Sequence, residues 1–432
     1  MLVVFPAQAR VDSTALRAAS WRMRILARYL SFSCGILLFA VALTGAGRAQ
    51  YVHTDGTQIV DGRGKPLLLH GINLGNWMVT EGYMWHFDGG PQSEREIEEF
   101  TTEMLGPTRA AQFWKTWRDS YISREDIHRI RQMGFDSIRI PIHWKLFTSD
   151  DSEGFQLLDR VIGWAHEEGL YVVIDLHAAP GGQTGANIDD SNGWPWLYSD
   201  ESMQQQTTEL WRRIAHRYRD ETAVLGYDLL NEPLPHYPAM RAFDAKLEPL
   251  YRRFTEAIRS EDTHHAVILG GAKWDTDFSV FGPAFDKNAI YQLHTYWAPP
   301  VQATIQHFVD FRAKNNVPIW LGESGENKDE WIAQFARLLE KNNIGWAFWP
   351  YKKMDYTSSP VTYTQPAHWA EIVEYAKLGR NLGSIEDRQK KRPPQKDIDE
   401  AFAGLLENIQ FSHETLNPGF VHALLPQAAA GR

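Results

Sequence analysis

Several apolar runs in this sequence end in polar residues, and two of those residues are glutamates. Asn231 and Glu232 follow the run AVLGYDLL directly, and Glu323 closes the run VPIWLG. A carboxylate beside a buried strand loses hydration, so it is seldom placed there without a partner or a chemical task. Two carboxylates facing each other across a pocket are the groups that glycosidic bond hydrolysis needs. One protonates the leaving oxygen, and the other attacks the anomeric carbon or positions water.

The other apolar runs end in residues that suit the same pocket. They are Asn73, Arg139, Asp175, His177, His294, Tyr296 and Trp349. Arg139 can hold one glutamate ionised, while a less charged setting raises the pKa of the other. The 17 Trp residues of the chain supply flat apolar faces for sugar rings. Each residue alone also fits an ion pair or core packing, but together they favour one site.

The elements that would position these residues alternate between strand and helix patterns. Eight apolar runs cover 67–74, 136–142, 171–176, 223–231, 266–270, 290–294, 317–323 and 344–349. Amphipathic segments lie between them, such as SREDIHRIRQMG, with Ser123 as N-cap and Gly134 as its end. The pattern predicts an α/β protein with a (β/α)8 TIM barrel, whose active site lies at the carboxyl ends of the strands. A doubly wound sheet would want an early Gly-rich phosphate turn, which the sequence lacks.

The barrel is expected to occupy residues 50–378, with a short N-terminal hairpin at the turns TDGTQ and DGRGKP. Residues 379–432 differ in composition. SIEDRQKKRPPQKD predicts a solvated linker, the spacing of apolar residues in 398–411 predicts a helix on the outside of the barrel, and the last residues predict a disordered tail.

Residues 1–49 have the layout of a signal peptide. Arginines precede an apolar core at 29–44, and the small-residue segment AGRAQ follows, which predicts cleavage after Ala49. Met23 begins a more typical signal, so residues 1–22 are interpreted as an upstream start extension. The apolar run is short for a spanning helix. We expect a secreted or periplasmic protein, with a membrane anchor as the alternative if the signal stays uncleaved.

The charge and the cysteine content limit the classes of molecule that this protein could bind. Cleavage would remove Cys34, the only cysteine, together with six Arg and one Asp, so a formal charge of −10 becomes −15. An exported acidic protein is a poor partner for nucleic acid or for an anionic membrane surface. We therefore expect a neutral substrate, a monomer, and no cofactor.

Two other classes of protein remain possible from the residues alone. Asp175, His177 and the two glutamates could hold a divalent metal ion, although Asn231 and Arg139 are poor neighbours for one. The site could also belong to a noncatalytic sugar-binding barrel. Chelator sensitivity separates the first class, and replacement of either glutamate separates the second.

The ordered motifs resemble glycoside hydrolase family 5, a family of retaining β-glycosidases on a β/α barrel. NEP at 231–233 resembles its acid/base motif and GES at 322–324 its nucleophile motif. IRIP at 138–141, DLH at 175–177, HTY at 294–296 and FW at 348–349 fall in the family's order. The resemblance extends over about 67–352.

The resemblance implies that Glu232 is the acid/base and Glu323 the nucleophile of a double displacement, without a metal ion. It implies substrate-binding or supporting roles for Arg139, His177, Asn231, His294, Tyr296 and Trp349. Asn231 would hydrogen-bond the sugar 2-hydroxyl, and Trp349 would lie beneath the reacting ring.

GINLGNWMVTEGYMW is similar to the opening motif of the exo-β-1,3-glucanases within this family. In that branch, the residue matching Glu81 binds the terminal sugar. Asn76, Ser324, Pro350 and Tyr351 depart from the branch pattern around the sugar sites, which leaves the linkage open. The expected activity is exo-hydrolysis of β-glucosidic linkages in a glucan or oligosaccharide, and the alternative is an endo-β-1,4-glucanase. A glucoside with a lipid or other non-sugar aglycone is a more distant alternative.

Overall fold

A computed structural model describes residues 51–378 and 384–426 of the chain. These described residues all belong to one compact unit. The predicted signal peptide therefore lies outside the described residues, as does most of the predicted tail. Within the described ranges, no helix has the length and apolar character needed to cross a membrane.

Eight parallel strands form a closed barrel, which confirms the predicted fold. The described residues contain thirteen strands in all, which are β1 His53–Asp55, β2 Gln58–Val60, β3 His70–Asn73, β4 Ser137–His143, β5 Tyr171–Ala178, β6 Val224–Asp228, β7 Ala266–Gly270, β8 Ala289–His294, β9 Ile319–Glu323, β10 Gly345–Phe348, β11 Lys352–Met354, β12 Val361–Tyr363 and β13 Thr415–Leu416. Strands β3 to β10 follow one another around the ring, and β10 pairs with β3 to close it.

The helices coat the barrel. They are α1 Glu94–Leu105, α2 Pro107–Ser120, α3 Arg124–Gln132, α4 Glu153–Glu168, α5 Glu201–Tyr218, α6 Asp244–Arg259, α7 Gln302–Asn315, α8 Asp329–Lys341, α9 Trp369–Lys377, α10 Ile385–Lys391, α11 Gln395–Asn408 and α12 Pro418–Leu424. The Ser123 hydroxyl accepts from the Asp126 amide at the start of α3, as its cap pattern predicts. Gly169 ends α4 with a φ of 68°, a conformation that glycine adopts without strain.

The hairpin formed by β1 and β2 packs against the inside of the barrel. Val52 and Ile59 join a cluster with inward-facing strand residues such as Leu225, Ile268 and Trp320. A larger apolar cluster lies between the strands and the helices. The strands are therefore buried on both faces, which explains why their sequences are continuously apolar.

The C-terminal segment packs on the barrel's outside, as predicted, but its helices differ from the expected ones. Helix α11 starts at Gln395, whereas the apolar spacing predicted a start at 398. The prediction missed the first turn because that turn is polar and has no apolar periodicity. The helix buries Phe402 against Phe113 and Trp369. Helix α10 lies within the expected linker. Ser384 caps it by accepting from the Asp387 amide, and its acidic first turn and basic last turn favour the helix dipole.

A small sheet of β11, β12 and β13 joins this C-terminal segment to the barrel. The ammonium of Lys352 is fully buried, pairs with Glu414 and donates to the Tyr121 carbonyl at 2.6 Å. The next residue, Lys353, pairs instead with Glu326, which lines the cavity described below. Because side chains alternate along a strand, β11 connects the C-terminal segment on one face to that cavity on the other.

Candidate active site

The guanidinium of Arg139 is fully buried in β4 and joins the ends of several strands. Its nitrogens donate to Asp228 Oδ2 (Nε, 2.8 Å), Asn73 Oδ1 (Nη1, 3.0 Å), Glu323 Oε1 (Nη1, 2.5 Å) and Asn231 Oδ1 (Nη2, 2.9 Å), and Nη2 lies 3.0 Å from Asp175 Oδ1. Burial lowers the pKa of Arg139, but the three carboxylates outweigh it and raise the pKa overall. The group is therefore a permanent cation at the base of the site.

Glu323 is the last residue of β9 and is held by two donors. Arg139 donates to Oε1, and the Tyr296 hydroxyl donates to Oε2 at 3.0 Å. A register shift between Leu293 and His294 sets β8 against β9 so that His294 pairs with Glu323. Both oxygens of Glu323 therefore accept hydrogen bonds, which fixes the orientation of the carboxyl group.

Glu232 has a different environment, although it lies close by. It follows β6 with a φ of 44°, and its side chain is 15% exposed. Its Oε1 lies 3.0 Å from His294 Nδ1. Burial raises the pKa of Glu232 to about 7, and His177 and Arg139 oppose the rise only in part. This glutamate therefore keeps its proton up to near neutral pH.

The two glutamates face each other at short range. One oxygen of Glu232, one oxygen of Glu323 and a ring nitrogen of His294 all lie within 4.8 Å of one another. Retaining glycosidases hold their carboxyl groups about 5–5.5 Å apart, and inverting enzymes about 6.5–9.5 Å apart, to admit a water molecule. The geometry fits the retaining arrangement better.

Two histidines stay neutral in the site. Burial lowers the pKa of His294 to about 3 and that of His177 to about 4, against the opposing effect of Glu323. Nδ1 of His177 lies 2.8 Å from Asp175 Oδ2, so that nitrogen carries the proton. Its Nε2 is then free to accept from Asn231 Nδ2 at 3.4 Å.

A cavity of about 770 Å³ opens above these groups. Eight of the predicted site residues line it, whereas Arg139, Asn73 and Asp175 do not: the lining ones are Glu81, His177, Asn231, Glu232, His294, Tyr296, Glu323 and Trp349. Arg139 lies behind the wall and contacts Glu323 and Asn231. The structure thus brings all the predicted residues together, while their individual roles stay predictions.

Glu81 and Trp349 line the same cavity. Burial raises the pKa of Glu81 well above its ordinary value, and Glu323 and Glu232 add to the effect. The Trp349 indole stacks parallel to the His177 ring, with centroids 5.5 Å apart. A Cβ on Gly75 would come within 2.5 Å of this indole, so glycine is required for the loop after β3 to approach it.

The sequence pattern did not identify Asp275, which contacts both Glu232 and His294. Asp275 Oδ2 accepts from the Glu232 amide at 3.2 Å and lies 3.3 Å from His294 Nε2. Lys273, Trp274 and Asp275 have φ values of 57°, 62° and 60°, so Asp275 reaches the site from a left-handed turn. No local sequence signal announces three consecutive residues of this kind.

The sequence pattern also did not identify Tyr83, Glu326 and Lys353, whose hydrogen bonds connect the loops after β3, β9 and β10. The Tyr83 hydroxyl donates to Glu326 Oε1 at 2.9 Å and accepts from Trp349 Nε1 at 2.7 Å. Lys353 Nζ donates to both Glu326 oxygens, at 2.8 and 2.6 Å. Asp228 was missed as well, although an Asp inside an otherwise apolar strand is a readable signal.

The carboxylates and histidines are close enough to hold a metal ion, in the groups Asp175–His177–Glu323 and Glu232–His294–Glu323. Arg139 already occupies the relevant oxygens, at 3.0 Å from Asp175 Oδ1 and 2.5 Å from Glu323 Oε1. A divalent cation at the first group would face this guanidinium, and like charges at such range repel strongly. The donor set therefore suits acid–base chemistry better than metal binding.

Comparisons with known proteins agree with this geometry. A family model described as Cellulase (glycosyl hydrolase family 5) matches residues 96–355. A β-xylosidase of Phanerodontia chrysosporium is 32% identical over 291 residues, which cover 65% of this chain and 59% of the relative. A probable glucan 1,3-beta-glucosidase A of Aspergillus fumigatus is 30% identical over 240 residues, 53% of this chain and 56% of the relative. The chain thus spans less than two thirds of either relative.

The fold also matches solved structures. The crystal structure of an endogalactoceramidase superposes with a TM-score of 0.55 at 18% identity, over 87% of this chain and 84% of that chain. At this identity the match concerns the barrel fold alone.

The electrostatic setting of Glu232 yields a direct prediction. Its carboxyl should titrate with a pKa of about 7, because burial disfavours the charged form. The measurement is a 13C NMR titration of the Glu side-chain carboxyls, with the Glu232 signal assigned by its loss in Glu232→Gln. A midpoint near the ordinary Glu value, about 4.3, would contradict the electrostatics described here.

Proposed function

We propose, from the premise that this chain belongs to the cellulase family of glycosyl hydrolases, family 5, that it hydrolyses β-glucosidic linkages with retention of configuration. The observation that carries the proposal is the pair of glutamates within 4.8 Å in one cavity, in unequal electrostatic settings. Glu232 is protonated near neutral pH, while Glu323 accepts hydrogen bonds on both oxygens. An acid and a nucleophile are thus held in place before substrate binds.

In the first step, Glu323 attacks the anomeric carbon and Glu232 gives its proton to the leaving oxygen. Positive charge develops on the sugar ring in this transition state, and the buried carboxylate stabilises it. In the second step, Glu232 takes a proton from water, and that water releases the sugar from Glu323. Ester formation removes the negative charge of Glu323, which favours the ionised form of Glu232 just when a base is needed.

The neighbouring groups orient these two steps. Arg139 and Tyr296 fix the two oxygens of Glu323, and Arg139 also fixes the amide oxygen of Asn231. The Asn231 amide nitrogen lies 3.4 Å from His177 Nε2 in the cavity wall, and we assign its second hydrogen to the sugar 2-hydroxyl. Trp349 offers a flat face to the same ring. Preorganised donors of this kind cost no rearrangement during the reaction.

We further propose that the enzyme acts from a chain end and prefers β-1,3 linkages. Tyr83, Glu326 and Lys353 bridge the loops after β3 and β9 to strand β11, beside Trp349. Such a bridge supports a pocket that is closed on the sugar side, with Glu81 inside it. The similarity to a glucan 1,3-beta-glucosidase supports the linkage. Endo-β-1,4-glucanase activity, which would need this side open, is the alternative.

Export is part of the proposal. The arginines, apolar core and small-residue segment within residues 1–49 support secretion or delivery to the periplasm. A polymeric glucan is met outside the cytoplasm, so this location agrees with the proposed substrate.

Replacing either glutamate tests the catalytic assignment. Glu323→Ala should reduce turnover by roughly 10⁴-fold or more, because no glycosyl ester can form. Glu232→Ala should slow poor leaving groups by roughly 10²–10⁴-fold, and activated substrates much less, because they need no protonation. The control is Glu407→Ala on the exposed face of α11. Near-normal turnover in either active-site variant would contradict the assignment.

A product time course tests the mode of attack. Laminari-, cello- and mixed-linkage oligosaccharides of equal length are digested, and the products are followed by chromatography. The closed sugar side predicts glucose as the first product, released fastest from the β-1,3 series. Intermediate oligomers at early times, or a clear preference for the cello series, would favour the endo-β-1,4-glucanase alternative.

A further inference from the structure

We propose that the loops after β6, β7 and β8 form a subsite for a flat aromatic aglycone, so that aryl β-glucosides are substrates in addition to the glucan of the proposed function. This inference rests on the proposed hydrolase function and names the leaving-group chemistry that its cavity fits. The reaction is ordinary hydrolysis: Glu232 protonates the aryl oxygen, the aromatic alcohol departs, and water later releases glucose from Glu323.

The position of Glu232 determines where the aglycone lies. The leaving oxygen must lie within hydrogen-bond reach of this acid, so the aglycone extends toward the loops beside Glu232. Glu232 belongs to the loop after β6, and the loops after β7 and β8 come next around the barrel. Glu81 and Trp349 lie in the loops after β3 and β10, on the other side of the ring. The cavity therefore has a sugar side and an aglycone side.

Aromatic side chains dominate the aglycone side. His236 and Tyr237 come from the loop after β6, Trp274 from the loop after β7 and Trp297 from the loop after β8, and all four line the cavity. The Tyr237 and Trp274 rings meet edge to face, with centroids 6.3 Å apart. The Trp297 side chain is 72% exposed and that of Tyr237 48% exposed, so broad ring surface stands open at the mouth.

The polar atoms of both indoles are already used within the protein. Trp274 Nε1 donates to His236 Nδ1 at 3.0 Å, and Trp297 Nε1 donates to the Glu326 carbonyl at 3.1 Å. What these residues offer a ligand is therefore the apolar face of each ring. The carboxyl groups of the cavity are those of Glu81, Glu232, Glu323 and Glu326, and Glu326 is tied to Lys353. A sugar ring stacks on aromatic faces too, but its hydroxyls also need polar partners, whereas a flat aromatic ring needs stacking surface alone.

The backbone holds these two tryptophans in an unfavourable conformation. Trp274 has a φ of 62° and Trp297 a φ of 54°, in the left-handed region that non-glycine residues seldom enter. Such residues cluster at ligand sites because the surrounding structure must hold them there. Trp297 is exposed and Trp274 is only partly buried, so neither side chain fills the core, and their strained backbone points to ligand contact.

The test compares phenyl and 2-naphthyl β-glucosides, whose leaving groups have similar acidity but different flat area. In the wild type, the naphthyl substrate should have a kcat/KM roughly three- to tenfold higher, from its additional stacking. Trp297→Ala and Tyr237→Ala should each bring this ratio close to one. The matched control is Trp196→Ala, a 50% exposed tryptophan that does not line the cavity, and it should retain the full ratio.

Further substrates separate the possible failures. Hydrolysis of β-glucosyl fluoride, which carries no ring aglycone, reports the proposed hydrolase function by itself. If the wild type cleaves the fluoride but shows no naphthyl preference, the aglycone inference is wrong and the hydrolase stands. If Trp297→Ala lowers kcat/KM for laminaribiose as much as for the naphthyl glucoside, the subsite holds a sugar and the inference is overturned. If neither fluoride nor glucoside is cleaved, the proposed function itself fails.

Discussion

One buried guanidinium is the counter-ion of three carboxyl groups, and the rest of the site depends on this imbalance of charge. Arg139 contacts Asp175, Asp228 and Glu323 and is shielded from solvent. A single cation cannot fully compensate three buried negative charges, so burial raises the pKa of Asp175 and of Asp228 to about 7 despite the guanidinium. Glu323 has a second donor in Tyr296, and it has the shortest contact with Arg139. Donors therefore hold both oxygens of Glu323 in place.

The same constraint explains why Glu232 differs from Glu323 at such short range. Arg139 directs its nitrogens toward β3, β5, β6 and β9, and none of them contacts the Glu232 carboxyl. Glu232 has instead a neutral imidazole from His294, whose other nitrogen lies near Asp275. Two glutamates in one cavity thus have different partners, a cation and a hydroxyl for Glu323 and a neutral imidazole for Glu232, and a double displacement needs such a difference.

The regular part of this arrangement can be predicted from sequence, because strand ends in a barrel obey a simple rule. Each apolar run ends at the same rim, so Arg139, Asn231, His294 and Glu323 had to meet there. The helix start at Ser123 and end at Gly169 follow from their own side chains. The irregular part resisted prediction. Asp275 is positioned by a turn of left-handed residues, and Glu326 pairs with Lys353 of strand β11. Both arrangements depend on tertiary contacts that no local sequence pattern encodes.

Double displacement across Glu323 and Glu232 is tested most directly by the configuration of the first product. Proton NMR spectra recorded within the first minutes of hydrolysis of a β-glucoside distinguish the two anomers before mutarotation mixes them. Two inversions at one carbon restore the original configuration, so the β anomer should accumulate first. An α anomer as the first product would show a single displacement by water, and would contradict attack by Glu323.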